Sequence, residues 1–274
     1  MTATAQALPE QPPEPDAPSR PVPPGTHVTI RNLHKAFAGQ PLYEGFDLDL
    51  AKGRITSIFG PNGCGKSTLI SMIAGLVPID RGSILFEGKT LRETRIGYVF
   101  QNYRDALFPW LRARDNIAYP LKIAGQPRSE RETRVQELAE IFGIGFDLGR
   151  YPYQLSGGQQ QLVSIMRALA PHPEVLFLDE PFSALDYEMT LTIRDTLQAI
   201  YQRTRLTMVV VSHDLEEAVY LADEVLLLTK RPARVAEQVP FGAPRPRDAA
   251  TLSAPDFVRT KAHCLEVFQR EVRR

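Results

Sequence analysis

The stretch Gly60-Pro61-Asn62-Gly63-Cys64-Gly65-Lys66-Ser67-Thr68 leaves this chain few folds to choose from. It fits the phosphate-loop pattern G-x-x-x-x-G-K-[ST] without a mismatch. Arg54-Ile55-Thr56-Ser57-Ile58-Phe59 before it reads as a short strand. Leu69-Ile70-Ser71-Met72-Ile73-Ala74 after it reads as an apolar-faced helix that runs out at Gly75. Strand, glycine loop, helix is the context in which this pattern binds phosphate. Gly60, Gly63 and Gly65 let the backbone curl so that its N–H groups point inward, and the helix N-terminus adds its positive dipole. Lys66 is expected to reach the β- and γ-phosphates, and the Ser67 hydroxyl to ligate Mg²⁺. The chain is therefore predicted to be an α/β protein that binds a nucleoside triphosphate. The loop does not say what the energy is used for.

The length of 274 residues suits one large domain, or a domain with an inserted subdomain. Lys plus Arg equals Asp plus Glu, at 32 each, which argues against a general nucleic-acid binder. Of the two cysteines, Cys64 lies inside the phosphate loop, so a structural disulfide is not expected and a reducing compartment is. No apolar run approaches the ~18 residues needed to span a bilayer. No basic start followed by an apolar stretch marks a signal peptide. If the protein serves a membrane process, another chain must supply the membrane part.

Residues 1–25 read as a tail, with Pro9, Pro12, Pro13, Pro15, Pro18, Pro21, Pro23 and Pro24 and few apolar residues between. Such a segment cannot bury enough surface to fold, and a solvated leader is expected ahead of a PxxP partner site. From His27 the pattern changes. His27 to Leu33 and Phe46 to Leu50 alternate like half-exposed antiparallel strands, and Ser83-Ile84-Leu85-Phe86 adds another. Phe37 sits in a turn-rich stretch, where a core phenylalanine or a ring stacked on adenine would look alike. Glu130 to Phe142 has helical period, with Val135, Leu138, Ala139 and Phe142 on one face, and reads as part of a helical insertion. Leu155 to Ala170 reads as a glycine loop feeding a helix. Val175-Leu176-Phe177-Leu178 and Thr207 to Val211 are continuous apolar runs, the mark of a buried parallel sheet. After Lys230 the chain looks polar and proline-punctuated until a last short helix at about 256–272.

Asp179-Glu180 puts two carboxylates at the end of a buried strand, where a parallel sheet presents them beside the phosphate loop. Asp179 suits the metal, and Glu180 could orient or deprotonate the attacking water. Two solvated turn acids would read the same way. Leu155-Ser156-Gly157-Gly158-Gln159-Gln160-Gln161 changes the weight, because a Ser-Gly-Gly turn opening a helix is a second anion nest. With it the sequence resembles the ATP-binding subunits of ABC transporters, whose signature is LSGGQ. The resemblance runs through Gln101 of the Q-loop, Ser183-Ala184-Leu185-Asp186 as the D-loop and His213 as the switch histidine. In order and spacing it covers about residues 27–230.

The resemblance implies a P-loop NTPase core with a parallel sheet, an antiparallel β subdomain and an inserted helical subdomain at about 104–170. The ATPase domain would span 26–250, followed by a C-terminal helix at 251–274. Phe37 takes the place of the adenine-stacking aromatic. Each ATP would be held by the loop from Gly60 to Thr68, with Ser67, Gln101 and Asp179 toward Mg²⁺, and with Glu180, His213 and Gln101 toward catalysis. Ser156, Gly157, Gly158, Gln161 and Asp186 of a second copy would close over it, in a head-to-tail homodimer or heterodimer. One departure from the family is Leu162-Val163-Ser164, where Arg-Val-Ala is common; altered packing is expected there, not lost hydrolysis.

Gln101 to Leu111, with Phe108-Pro109-Trp110, resembles importers of nitrate, sulfonates and taurine. So do Arg231-Pro232-Ala233-Arg234-Val235 and Pro244-Arg245-Pro246-Arg247-Asp248. The aromatic turn is either core or part of the groove that receives a membrane subunit. The implied partners are two membrane-spanning permease subunits and, indirectly, a solute-binding protein, with no nucleic acid. The chain would sit peripherally on the cytoplasmic face of the membrane. A soluble ABC ATPase of DNA repair or translation would be expected to carry a long coiled coil or two cassettes. A module using ATP only as a dimerisation signal would not need Glu180.

Overall fold

The computed structural model describes residues 21–183 and 185–273. The proline-rich stretch expected as a tail falls almost wholly outside the described residues, as does Ala184 of the Ser183–Asp186 turn. In chain order the strands are β1 (Thr26–Phe37), β2 (Gln40–Ala51), β3 (Ile55–Phe59), β4 (Arg81–Phe86), β5 (Ile96–Val99), β6 (Val175–Asp179), β7 (Thr207–Val211), β8 (Glu224–Leu228) and β9 (Val235–Pro240). The helices are α1 (Lys66–Ile73), α2 (Tyr103–Ala106), α3 (Ala113–Ile123), α4 (Arg128–Ile141), α5 (Gly157–Leu169), α6 (Tyr187–Thr204), α7 (Leu215–Leu221), α8 (Ala249–Ser253) and α9 (Pro255–Arg273).

β3, β6 and β7 are buried at every position. They lie inside a six-stranded sheet of order β5-β6-β7-β3-β8-β9, parallel except for the antiparallel pair β8–β9. Strands packed on both faces are buried at every position, which is why their sequences show no alternation of apolar and polar residues. A parallel sheet also brings the C-terminal ends of β3 and β6 to one edge, and that edge carries the phosphate loop and the Asp179-Glu180 pair.

β2, β1 and β4 form a separate antiparallel sheet, with Val28 opposite Leu50 and Ile30 opposite Leu48. In β2 the expected alternation holds: Phe46, Leu48 and Leu50 are buried while Asp47 is exposed. In β1 it does not, for Val28 to Arg31 are all buried. β1 is the middle strand, and its polar groups find partners instead of water. The Arg31 guanidinium pairs with Asp49 at 2.7 Å, and His27 Nδ1 lies 2.6 Å from Thr207 Oγ1 on the other sheet.

Helices α2 to α5 occupy residues 103–169. Val135, Leu138 and Phe142 are buried as their spacing predicts, and Gly143, at φ 56°, turns the chain out of α4. Asn116 of α3 is fully buried; its side chain accepts from the Phe108 N–H at 2.8 Å and donates to nearby carbonyls, which pins the turn between Phe108 and Arg112.

The region after Lys230 corrects the sequence reading. It contains strand β9, paired to β8, which was not expected, while the final helix, expected at about 256–272, spans Pro255–Arg273. The Pro244–Asp248 run fastens this region to the core. The Arg247 side chain is entirely buried and donates to the carbonyls of Tyr220 (2.7 Å), Ala222 (2.6 Å) and Phe241 (3.1 Å). Burial pulls its guanidinium down to about 10, so it stays charged at neutral pH, at the C-terminus of α7, where the helix dipole favours a cation. Arg245 donates to Leu221 O at 2.7 Å and to Asp223 at 2.8 Å.

Asp223 also accepts the Ile55 N–H at 2.9 Å, and the Tyr201 hydroxyl lies 2.9 Å away. Burial alone would raise this carboxyl, but those donors and the Arg245 charge hold it below the usual aspartate value. A depressed carboxylate adds stability above its unfolded pKa and loses it as pH falls through the folded one. Asp223→Asn is therefore expected to cost about 2 kcal/mol at pH 7. The difference from wild type should begin to shrink as the pH drops below about 4, the unfolded aspartate value, and close only once the pH has passed the lower folded value, which urea unfolding across that window measures.

Candidate nucleotide site

The loop from Gly60 to Gly65 follows β3 directly and ends in α1. Gly65 has φ 108°, and a Cβ there would meet the Leu42 side chain at 2.9 Å, so both backbone and space call for glycine. Pro61 and Cys64 turn inward and are buried, while Asn62 and Gly63 face solvent. No side chain caps α1, so its first N–H groups remain available to an anion. Lys66, 7 % exposed, arches back over the loop, and its Nζ donates to Gly60 O at 2.9 Å and Pro61 O at 3.2 Å. Those carbonyls hold the ammonium where phosphate oxygens would replace them. Thr68, half-buried, continues the helix.

Two loop contacts were invisible in the sequence. The Tyr43 hydroxyl donates to Gly65 O at 3.1 Å, and the Arg231 Nε donates to Gly63 O. Arg231 belongs to the Arg231–Val235 run already singled out, but no spacing in the chain places it at this loop.

Asp179 ends β6 with 6 % exposure, and its Oδ1 accepts from Ser67 Oγ at 2.8 Å. The Tyr98 hydroxyl lies 3.5 Å from Oδ2 and is itself 3.0 Å from Ser71 Oγ. Burial first, and then the Glu180 charge, push the Asp179 carboxyl up, against the Ser67 hydrogen bond. A buried acid held this way gains from a cation. Ser67, Asp179 and the amide oxygen of Gln101 are hard oxygen donors of the kind Mg²⁺ takes beside nucleotide phosphates. Among the described residues no group of three or more His, Cys, Asp or Glu could hold a metal by itself.

Glu180 leaves the strand with φ 47°, in the left-handed region, held by its N–H to Val211 O at 2.9 Å. Its side chain joins a cluster. Its Oε2 accepts from Gln101 Nε2 at 2.8 Å and lies 3.3 Å from His213 Nδ1. Residues from three distant parts of the chain thus meet at one carboxylate. His213 is exposed but its neighbours are fixed. Ser212 Oγ lies 2.9 Å from the Glu217 carboxylate, and Asp214 caps α7 by accepting the Glu216 and Glu217 N–H groups.

The second anion nest stands apart. Ser156 caps α5, accepting the Gln159 N–H at 3.3 Å, while Gln159 accepts the Ser156 N–H at 3.0 Å. Asp186 caps α6 by accepting the Met189 N–H at 2.8 Å. The two helix starts touch each other, since a Cβ on Gly158 would meet Met189 at 2.5 Å. Among the described residues no hydrogen bond joins Ser156, Gly157, Gly158 or Asp186 to residues 60–68. Gln161 is a correction. Expected at the nucleotide, it is 1 % exposed and donates to Pro181 O at 2.7 Å, so it braces the turn after Glu180 from beneath. Leu162, where the family often has arginine, is buried in the same core. Phe37 ends β1 with 48 % exposure, with Lys35 Nζ 5.1 Å from its ring centroid.

Residues 43–183 match the family model described as ABC transporter. The taurine import ATP-binding protein TauB of Escherichia coli is 37 % identical over 251 residues, covering 89 % of this chain and 98 % of that protein. The sulfate/thiosulfate import ATP-binding protein CysA of Thermosynechococcus vestitus is 43 % identical over 208 residues, 74 % of this chain and 61 % of that protein. Among solved structures, a dimeric post-hydrolysis state of the ATP-binding cassette MJ0796 bound to ADP and Pi superposes with TM-score 0.71 and 29 % identity, covering 79 % of this chain and 99 % of that one.

Proposed function

Because the chain belongs to the ABC transporter family, we propose that it is the ATP-hydrolysing subunit of an importer for a small solute of the nitrate, sulfonate or taurine kind. The observation that carries this reading is the convergence of Lys66, Ser67, Asp179, Gln101, Glu180 and His213 at the C-terminal edge of one parallel sheet. The relatives are import subunits, which favours transport over a soluble, non-transport ABC ATPase.

In this reading the loop N–H groups and Lys66 bind the β- and γ-phosphates, and Phe37 stacks on adenine. Mg²⁺ would be held by Ser67, Asp179 and Gln101; when bound it neutralises charge on the phosphates. Glu180 orients a water and takes its proton as the water oxygen bonds to the γ-phosphorus. The bond from that phosphorus to the bridging oxygen breaks, and ADP leaves with the electron pair. His213, beside Glu180, fixes the γ-phosphate end, and Gln101 ties the same carboxylate to the segment leading into α2. Among the described residues Ser156, Gly158 and Asp186 make no hydrogen bond to the loop of their own chain, and in this reading a second copy packed head to tail supplies them. Closure of the pair assembles the site.

The membrane partner would dock at the turn that Asn116 pins. Trp110 is 71 % exposed there, with Phe108 half-buried behind it and ring centroids 5.5 Å apart. Tyr119 stands 4.6 Å from Phe108 on the other side. Among the described residues no helix is long and apolar enough to cross a membrane. Co-purification with a polytopic membrane protein tests the assignment. Trp110→Ala is expected to weaken that complex by ~2 kcal/mol or more, as truncating an aromatic anchor does, while ATP binding by the isolated subunit persists. Equal loss of both would place the turn in the core and not in a docking groove.

A further inference from the structure

The two residues that follow the Gln101-Asn102 turn do not face the loop that Gln101 serves. Tyr103 and Arg104 begin α2 and reach the first turn of α5 instead. A Cβ built on Gly157 would lie 2.8 Å from the Tyr103 hydroxyl and 3.3 Å from an Arg104 guanidinium nitrogen. Tyr103 is 4 % exposed, yet its hydroxyl has no hydrogen-bond partner. Arg104 is exposed, 5.9 Å from the Tyr103 ring centroid, and among the described residues no carboxylate pairs with it. Among the described residues nothing accepts from the Gly157 and Gly158 N–H groups, because the Ser156 hydroxyl is taken by Gln159. The corner therefore offers N–H groups, a guanidinium and a buried orphan hydroxyl, and it holds no acid to answer them. Donors without an acceptor at a helix N-terminus make an anion site.

We propose that Arg104, with Tyr103 beneath it, is a further ligand of the γ-phosphate of the ATP bound to the other copy. The inference rests on the head-to-tail reading above and adds two residues to it. A guanidinium presents paired N–H groups to two phosphate oxygens at once, and it counters the charge that spreads over the γ-phosphate during transfer. A lone Ser-Gly-Gly turn offers only partial charges. The placement has a second consequence. Gln101 touches the site of its own chain, whereas Arg104, three residues on, touches the site of the partner copy. One short segment thus responds to both nucleotides, so loss of the γ-phosphate on either side slackens the same α2 turn that leads to Trp110.

The test is an ATP titration of dimer formation by size-exclusion chromatography, with the full chain carrying Glu180→Gln to block turnover. Arg104→Ala added to it should raise the ATP concentration at half-dimerisation by about tenfold or more, the usual loss for a hydrogen bond to a charged group. Arg104→Lys should recover part of that shift, and Tyr103→Phe should cause a smaller one. Binding of a fluorescent ATP analogue to the dilute monomer should be unchanged, because the monomer's own loop does not use Arg104. If the parent dimerises and Arg104→Ala follows the same curve, the Arg104 assignment is wrong and the sandwich stands. If the parent fails to dimerise, the head-to-tail reading falls and takes this inference with it. If Arg104→Ala lowers monomer affinity or melting temperature as much as it lowers dimerisation, a fold defect explains the loss and the assignment is again overturned.

Discussion

Glu180→Gln is expected to bind ATP normally and to hydrolyse it about 10²–10⁴ times more slowly, the range lost with a positioned general base. The substitution keeps the side chain's shape and leaves it able to hydrogen-bond. The Gln101 amide at 2.8 Å and the His213 ring at 3.3 Å would still have an oxygen to meet, so the cluster survives. What disappears is the proton acceptor and one negative charge. Binding should survive, because in the proposed site the phosphates are held elsewhere, by Lys66 and the loop N–H groups. Steady-state phosphate release, with nucleotide binding measured separately, checks this. Wild-type turnover in Glu180→Gln would remove Glu180 from the chemistry.

Lys66→Ala should reduce both binding and turnover. The loop would retain its inward N–H groups, since Gly65, Tyr43 and Arg231 set its path and none depends on the lysine side chain. It would lose its only buried cation. The ammonium now rests on the Gly60 and Pro61 carbonyls, so each bond it gives a phosphate replaces one it already makes, but to an ionised acceptor. Hydrogen bonds to charged groups are worth ~1.5–3 kcal/mol, so ATP affinity should fall about tenfold or more, and hydrolysis further, as charge builds up on the transferring group. Isothermal titration with ATP and with ADP separates the two. Near-wild-type activity would show that this loop is not the working site.

The phosphate loop, the three buried strands and the α4 face were legible because each is written in contiguous residues: a fixed pattern, an apolar run, a helical period. The meeting of Gln101, Glu180 and His213 was not. No local physics links positions so far apart, and only the family resemblance put them at one site. Gln161 shows the opposite failure. It belongs to a motif and so was expected at the nucleotide, yet it shares a helical face with Ile165 and Ala168, both buried, and that spacing pointed to the core. The C-terminal region was misread because β9 has only Val239 buried among its six residues and ends in Pro240, so it lacks the alternation that betrays a strand. What holds it is Arg247, a charged residue that sequence statistics place at the surface. Its burial is possible because the end of α7, Ala222 and the Phe241–Ala243 turn present carbonyls to it.

If, as proposed, Ser156, Gly158 and Asp186 serve the loop of a second copy, the mass of Glu180→Gln in solution measures that directly. With the base gone, ATP and Mg²⁺ should persist at the interface, and the lost negative charge should ease closure of two like surfaces. Size-exclusion chromatography with light scattering should then give a dimer with ATP and Mg²⁺ and a monomer with ADP, while wild type returns to monomer as it turns ATP over. A Glu180→Gln chain that stays monomeric with saturating ATP and Mg²⁺, and still hydrolyses at the wild-type rate, would contradict both the role of Glu180 and the two-chain site.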